Sequence, residues 1–190
     1  MASIFSHAVA AVAIGSAFPA PRSRRFWIYG ALCSAIPDLD VTGFGFHINY
    51  EDLLGHRGLT HSIAFAAVLA IAAATMIRRV ERAQPSRMLW LYIFLATVSH
   101  GILDAFTNGG LGVAFFAPFV NERYFFPVQP IEVSPIGVHS FFSARGLRII
   151  QNEIVWIWTP SLLFALIAMA LRSRWVNDLR GRFAKRSVRR

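Results

Sequence analysis

The chain has 190 residues, 55% of them hydrophobic and only 15% charged, with a mean hydropathy of +0.49; this balance is too apolar for a soluble domain of that length and points to a bilayer. The net charge of +9 comes from 19 Lys and Arg against 10 Asp and Glu. A single cysteine, Cys33, excludes a disulfide framework or a cysteine zinc site built within one chain, and the absence of HExxH, GxSxG and GxxxxGKS/T patterns excludes the zinc metalloprotease, serine hydrolase and phosphate-loop signatures.

Five apolar segments follow in chain order, and they predict an all-α, polytopic helical bundle forming one membrane-embedded domain over residues 1–171. The first, residues 3–20, carries His7. It ends in small residues and prolines near Ala20, as a secretory signal does, but no positive charge precedes it, so it is read as retained. The second, residues 26–37, is too short to cross unaided and needs a tilted or thinned arrangement, or a hairpin with the first. Pro37 then introduces Asp38 and Asp40 in PDLD, where a turn is expected to aim both carboxylates into one cavity. In GHRGLTHS, His56 and His61 are five apart with bends expected at Gly55 and Gly58, and Thr60 or Ser62 is placed to cap the third segment, residues 62–77. The fourth, residues 88–106, contains SHGILD, whose HxxxD spacing sets His100 and Asp104 on one helical face a turn apart. Residues 107–152 are rich in proline and aromatics without helical periodicity. They are expected to form an outer loop that closes as a lid, with a collar of Phe115, Phe116, Phe119, Phe125 and Phe126 among lipid headgroups. The fifth segment is residues 153–171. Only the last three approach the roughly 20 residues a crossing requires.

Positive charge is retained on the cytoplasmic side of membrane segments. Arg22, Arg24 and Arg25 follow segment one, Arg78, Arg79, Arg82 and Arg87 join segments three and four, and eight Lys or Arg lie between Arg172 and Arg190. Five crossings put all of these on one side, with the carboxyl terminus cytoplasmic and the amino terminus outside. Arg57, Arg123, Arg145 and Arg148 then fall opposite. The tail, residues 172–190, is expected to lie on an anionic leaflet rather than to bind nucleic acid, because no recognition fold accompanies it.

On this topology His7, Asp38, Asp40, His56, His61, His100 and Asp104 gather at the outer membrane face. Imidazole nitrogen combined with carboxylate oxygen suits zinc, manganese or iron, whereas calcium and magnesium sites are made mainly of oxygen. Seven ligands suffice for two ions with open positions, and such a pair activates water and clamps a phosphoester. Asp38 or Asp40 is the candidate base. Arg57 is placed either to neutralise a phosphate oxygen or to pair with Asp52 or Glu51, and Arg123 is a second phosphate-binding candidate. Asp104 at membrane depth demands a function or a partner, because an ionised side chain is costly there. His47 and His139 are read as packing residues.

Ser6 and His7, then PDLD, GHRGLTHS and SHGILDAFTNGG, occur in this order across residues 7–110. The combination resembles the YdjM-type inner-membrane family, whose members are assigned as metal-dependent hydrolases largely by motif, and NERYFFPVQPIEVSPIG resembles one branch of it. The resemblance implies a membrane-bound hydrolase of a bacterial-type inner membrane with no substrate to carry over. The ligand types and HxxxD spacing are also distantly similar to zinc-dependent phospholipase C enzymes, although the second HxxxE motif of their fuller zinc set is missing. The leading expectation is a zinc-dependent phosphoesterase taking a lipid or lipid-linked substrate from the bilayer. The alternative is a metal-binding membrane protein without catalysis, such as a transporter, sensor or regulator-binding scaffold; ionisable residues gathered at one end rather than spread through the bilayer disfavour transport.

Overall fold

A computed structural model describes residues 1–19, 23–81, 87–137 and 141–187, with side chains for all of these except residue 81 and residues 175–187. Ala20, Arg22, Arg82, His139 and residues 188–190 lie outside the described residues. The chain forms α1 (Ile4–Ser16), α2 (Arg24–Ala35), α3 (Ile63–Glu81), α4 (Arg87–Ala105), α5 (Ala144–Glu153) and α6 (Thr159–Ser187). A 3₁₀ helix over Ile36–Phe46 continues α2, another over Leu59–His61 precedes α3, and one π turn, Ile154–Trp158, joins α5 to α6. Ser3 and Ser23 cap α1 and α2 by accepting from the amides of Ser6 and Phe26. Among the described residues the remaining regular pairing is two isolated β-bridges, Thr107 with Ile131 and Val113 with Tyr124.

Among the described residues three stretches are long and apolar enough to cross a membrane, Ile63–Val80, Arg87–Ala105 and Ala144–Arg174, while Ile4–Ser16 is a shorter apolar helix. The division matches the segment lengths in the sequence. Sequence reading places residues 144–152 in the outer loop, but they are helical, and the chain then runs without a break through α6. At 1.5 Å per residue the 31 residues Ala144–Arg174 reach about 46 Å, well beyond a hydrocarbon core of roughly 30 Å. That excess leaves the polar first turns for the interface: Arg145, Arg148 and Gln151 are exposed, and Gly146, Ile149 and Glu153 face inward.

Close packing of small residues holds the bundle together, as expected where lipid removes the hydrophobic drive between helices. Tyr92 of α4 sits between α1 and α2, its ring stacked on Phe26 at 4.2 Å between centroids. A Cβ at Gly30 would lie 2.1 Å from the Tyr92 ring, so glycine is what lets α2 and α4 approach. Cys33, Ala70, Ala74 and Ile93 form a second cluster between α2, α3 and α4. At one end of the bundle, Arg172 of α6 donates to the carbonyls of Ser16 and Phe18 and so secures the last turn of α1.

At the other end lie the start of α1, the end of α2, the start of α3, the end of α4 and the junction of α5 with α6. Residues 107–137 close over this end through backbone bonds, from Ala114 N–H to the Arg57 carbonyl, from Ile63 N–H to Phe115 and from Ser134 N–H to Met1. The expected collar divides: Phe116 and Phe119 are exposed, Phe119 by 86%, whereas Phe115, Phe125 and Phe126 are half-buried and Phe126 stacks on Phe106 at 4.2 Å.

Candidate metal centre

His100 and Asp104 project from the last two turns of α4 and both are completely buried. The Nδ1–H of His100 donates to the Ser34 carbonyl at 2.6 Å, since a carbonyl can only accept. When the ring is neutral its Nε2 presents a lone pair, and that atom lies 3.0 Å from His61 Nε2 and 3.3 Å from Asp38 Oδ1. His61 is fixed in the same way: its Nδ1 lies 3.2 Å from Asp40 Oδ2, and its Nε2 lies 3.8 Å from Asp38 and 3.6 Å from Asp104. Two imidazole lone pairs facing each other at 3.0 Å repel unless a proton or a cation sits between them. From α1, His7 stacks on His100 with ring centroids 3.6 Å apart, and its Nε2 lies 3.5 Å from Asp104 Oδ1 and 3.9 Å from Asp38 Oδ2.

Asp38, His61, His100 and Asp104 each offer one ligand atom within 4.8 Å of the others, and His7 closes the group from the α1 side. Neither ring nitrogen of His7 and neither oxygen of Asp38 makes a hydrogen bond, although all are buried. Unsatisfied buried polar atoms are costly and demand an explanation. A divalent cation at the shared focus would satisfy Asp38 and the Nε2 of His7. It would also add positive charge, beside the Arg57 guanidinium and the amino terminus 4.0 Å from Asp104, to a centre that holds the three carboxylates of Asp38, Asp40 and Asp104.

Asp40 behaves differently from Asp38. Its Oδ1 accepts from His56 Nδ1 at 2.6 Å, and its Oδ2 accepts from the Arg57 amide at 3.1 Å and the Thr60 hydroxyl at 2.6 Å while lying 3.2 Å from His61 Nδ1. The expected turn with both carboxylates in one cavity is absent, because PDLD continues as a 3₁₀ helix. With three residues per turn, positions two apart diverge by about 240°. Asp38 thus reaches the central donors while Asp40 stands behind His61 and orients it, as carboxylates behind metal-bound histidines do. Asp40, His56 and His61 also form a second, smaller group within ligand distance, although His56 and Asp40 are joined to each other.

Burial alone would raise the Asp38 carboxyl, but His100, His61 and His7 beside it hold it below the usual carboxylate range. The same opposition, with His56 and His61 prevailing, lowers Asp40. Burial would lower His61, yet its bonds to Asp104, Asp38 and Asp40 raise it to about 10. His56, where burial prevails over Asp40, is lowered.

Arg57 meets neither sequence expectation: it pairs with neither Asp52 nor Glu51, and it is fully buried rather than turned toward a substrate. Its Nε lies 3.1 Å from Asp104 Oδ2, and its two terminal nitrogens donate to the Gly109 carbonyl at 2.7 Å and the Thr107 hydroxyl at 2.8 Å. It holds a φ of 64°, in the left-handed region. Gly110, at φ +87°, leaves room for it, since a Cβ there would lie 2.4 Å from the Tyr50 hydroxyl and 3.0 Å from Arg57. GHRG and TNGG are therefore two halves of one support for Asp104. Arg123 is also engaged, donating to the carbonyls of His56, Tyr50 and Asp52 with its guanidinium 5.7 Å from the Tyr50 ring, so it fastens the 50–56 loop instead of waiting for phosphate. His47, read as a packing residue, is exposed at the left-handed end of the first 3₁₀ helix. Of the two capping candidates, Ser62 accepts from the Phe65 amide, whereas Thr60 serves Asp40. The supporting roles of Thr60 and Thr107 escaped sequence reading; a hydroxyl inside each ligand motif was the available signal.

The family model described as YdjM inner membrane protein matches residues 1–176 of this chain. The chain is 34% identical over 164 residues to the inner membrane protein YbcI of Escherichia coli (strain K12), a match covering 86% of this chain and 94% of that protein. No solved structure matches, and the more distant likeness to phospholipase C enzymes finds no support.

Proposed function

Because the chain belongs to the YdjM inner membrane protein family and carries three helices of spanning length around a buried His/Asp cluster, we propose that this inner membrane protein is a metal-dependent hydrolase that cleaves a lipid or lipid-linked phosphoester. His7, Asp38, His61, His100 and Asp104 would hold one divalent ion, zinc first and manganese or iron as alternatives. The observation that carries this reading is the set of buried donors aimed at one point with His7 and Asp38 left without hydrogen bonds. It favours one ion over the two expected from the ligand count, since both oxygens of Asp40 are occupied by neighbouring donors.

A bound ion supplies Lewis-acid chemistry, activating water and polarising the ester. Asp38, held ionised at neutral pH and free of hydrogen bonds, is the carboxylate able to accept a proton from an attacking water; Asp40, saturated by its donors, is not. Asp40 keeps His61 in the tautomer that points Nε2 inward, and Arg57 keeps Asp104 aimed. The exposed apolar side chains Leu39, Phe46, Phe116 and Phe119, on the segments that carry or cover the site, suit approach from a bilayer. The distribution of basic residues supports a site on the outer face and a cytoplasmic carboxyl terminus with its tail on anionic lipid.

The test is release of phosphate or headgroup from a panel of phospholipids and lipid phosphates by the zinc-loaded, detergent-purified protein. Activity is expected in the wild type, lost in Asp38→Ala and in chelator, and restored by zinc. A zinc-loaded wild type that hydrolyses nothing in the panel would leave the second reading, a non-catalytic metal-binding protein. The burial of all five donors favours that second reading, as closed sites are structural.

A further inference from the structure

Glu153 ends α5 where the π turn begins, and it is completely buried. Its carboxylate accepts from the backbone amide and hydroxyl of Ser3 and, at 2.7 Å, from the hydroxyl of Ser6. The indole N–H of Trp158 donates to that same Ser6 hydroxyl at 2.8 Å. Glu153 and Trp158 are five residues apart, a spacing that an α-helix would splay and that the wider i→i+5 turn brings toward one side. The irregularity thus has an identifiable effect: two side chains of one helix grip the first turn of another. α1 has no acidic residue in its own first turn, so Glu153 supplies from α5 the negative charge that the positive end of a helix favours.

The residue after Ser6 is His7. Its ring is buried, makes no hydrogen bond and stacks on His100, so its aim at Asp38 and Asp104 depends on where the first turn of α1 sits. The other central histidines are oriented through their second nitrogen, His100 by the Ser34 carbonyl and His61 by Asp40. His7 lacks that device and has a buried carboxylate anchoring its helix instead. We infer that Glu153 is the positioning residue for His7, acting through Ser3 and Ser6 to set the affinity of the site for its ion. The inference rests on the metal-binding reading above and goes beyond it by assigning a residue outside the ligand motifs.

Titration of the detergent-purified full chain with cobalt(II), read by its visible absorption and by competition with a chelator, tests this. Glu153→Gln is expected to weaken cobalt binding about 10- to 100-fold, the range for groups that orient a metal ligand, and to change the spectrum in the same sense as His7→Ala. In a His7→Ala background the Glu153→Gln change is expected to alter affinity by no more than about twofold, because its route of action is already gone. Ser6→Ala, which removes the hydroxyl's bonds to Glu153 and from Trp158 and retains those of Ser3 to Glu153, should give a smaller loss in the same direction and serves if Glu153→Gln does not fold. Wild-type affinity in Glu153→Gln, or an equal loss with and without His7, would overturn the inference while leaving the metal site standing. A wild type that binds no cobalt would overturn the metal reading and this inference together.

Discussion

Asp40→Ala separates a carboxylate that binds an ion from one that orients its ligand. The change removes the acceptor facing His56 Nδ1, the Arg57 amide, the Thr60 hydroxyl and His61 Nδ1. Hydrogen bonds to an ionised group contribute about 1.5–3 kcal/mol each, but these four share one partner and do not add. The bond that bears on the ion is the one to His61, because without it the ring is free to turn or to carry its proton on Nε2. Loss of such an orienting partner weakens metal binding about 10- to 100-fold, or about 1.4–2.7 kcal/mol. Zinc affinity by competition with a chromophoric chelator, together with zinc content at saturation, gives both quantities. The expected result is the weakened affinity with one ion per chain in wild type and variant alike. Two ions in the wild type and one in Asp40→Ala would refute the reasoning and restore Asp40 as a ligand.

Arg57→Ala removes the guanidinium beside the buried Asp104 carboxylate but leaves the amino terminus at 4.0 Å and protonated His61 at 3.6 Å, so the loss should be that of charged hydrogen bonds, about 1.5–3 kcal/mol, rather than that of an orphaned buried charge; denaturant unfolding in chelator should show this, and a loss below about 1 kcal/mol would contradict it. Gly110→Ala must place a Cβ against the Tyr50 hydroxyl and Arg57 at φ +87°, and should destabilise by about 1–3 kcal/mol, whereas Gly45→Ala, with open space around it, should be close to neutral in the same unfolding assay. His61, raised to about 10, carries a proton in the metal-free protein at neutral pH. An incoming ion must displace that proton, so apparent affinity should fall about tenfold per unit as pH drops from 8 to 6, with about one proton released. Calorimetric titration in buffers of different ionisation enthalpy measures the release, and binding without any would contradict the assignment.

Much of the site was legible because helical spacing and charge placement are local properties. His100 and Asp104 share a face of α4 as HxxxD requires, and the alternation of segments brings His7, Asp38, His61 and Asp104 to the same end. The division between Asp38 and Asp40 was not legible, since it depends on PDLD winding as 3₁₀ rather than turning, a choice that residue preferences do not specify. Arg57 was misread for another reason: its partners lie about fifty residues away in TNGG, and only the fold joins the two motifs. The glycines flanking it in GHRG were the visible sign of an unusual backbone. Glu153 carried a sign that went unused, an ionisable residue at the head of an apolar segment, which is the argument that singled out Asp104. The amphipathic turns of α5 were hidden by proline-rich sequence before them and by an apolar run after them.

The central claim is that these histidines and aspartates hold an ion, and elemental analysis of detergent-purified protein handled without chelator addresses it directly. Wild type and His47→Ala should each carry close to one zinc or similar divalent ion per chain, and His100→Ala should carry none. A wild type free of divalent metal, or a His100→Ala variant with undiminished content, would contradict the account.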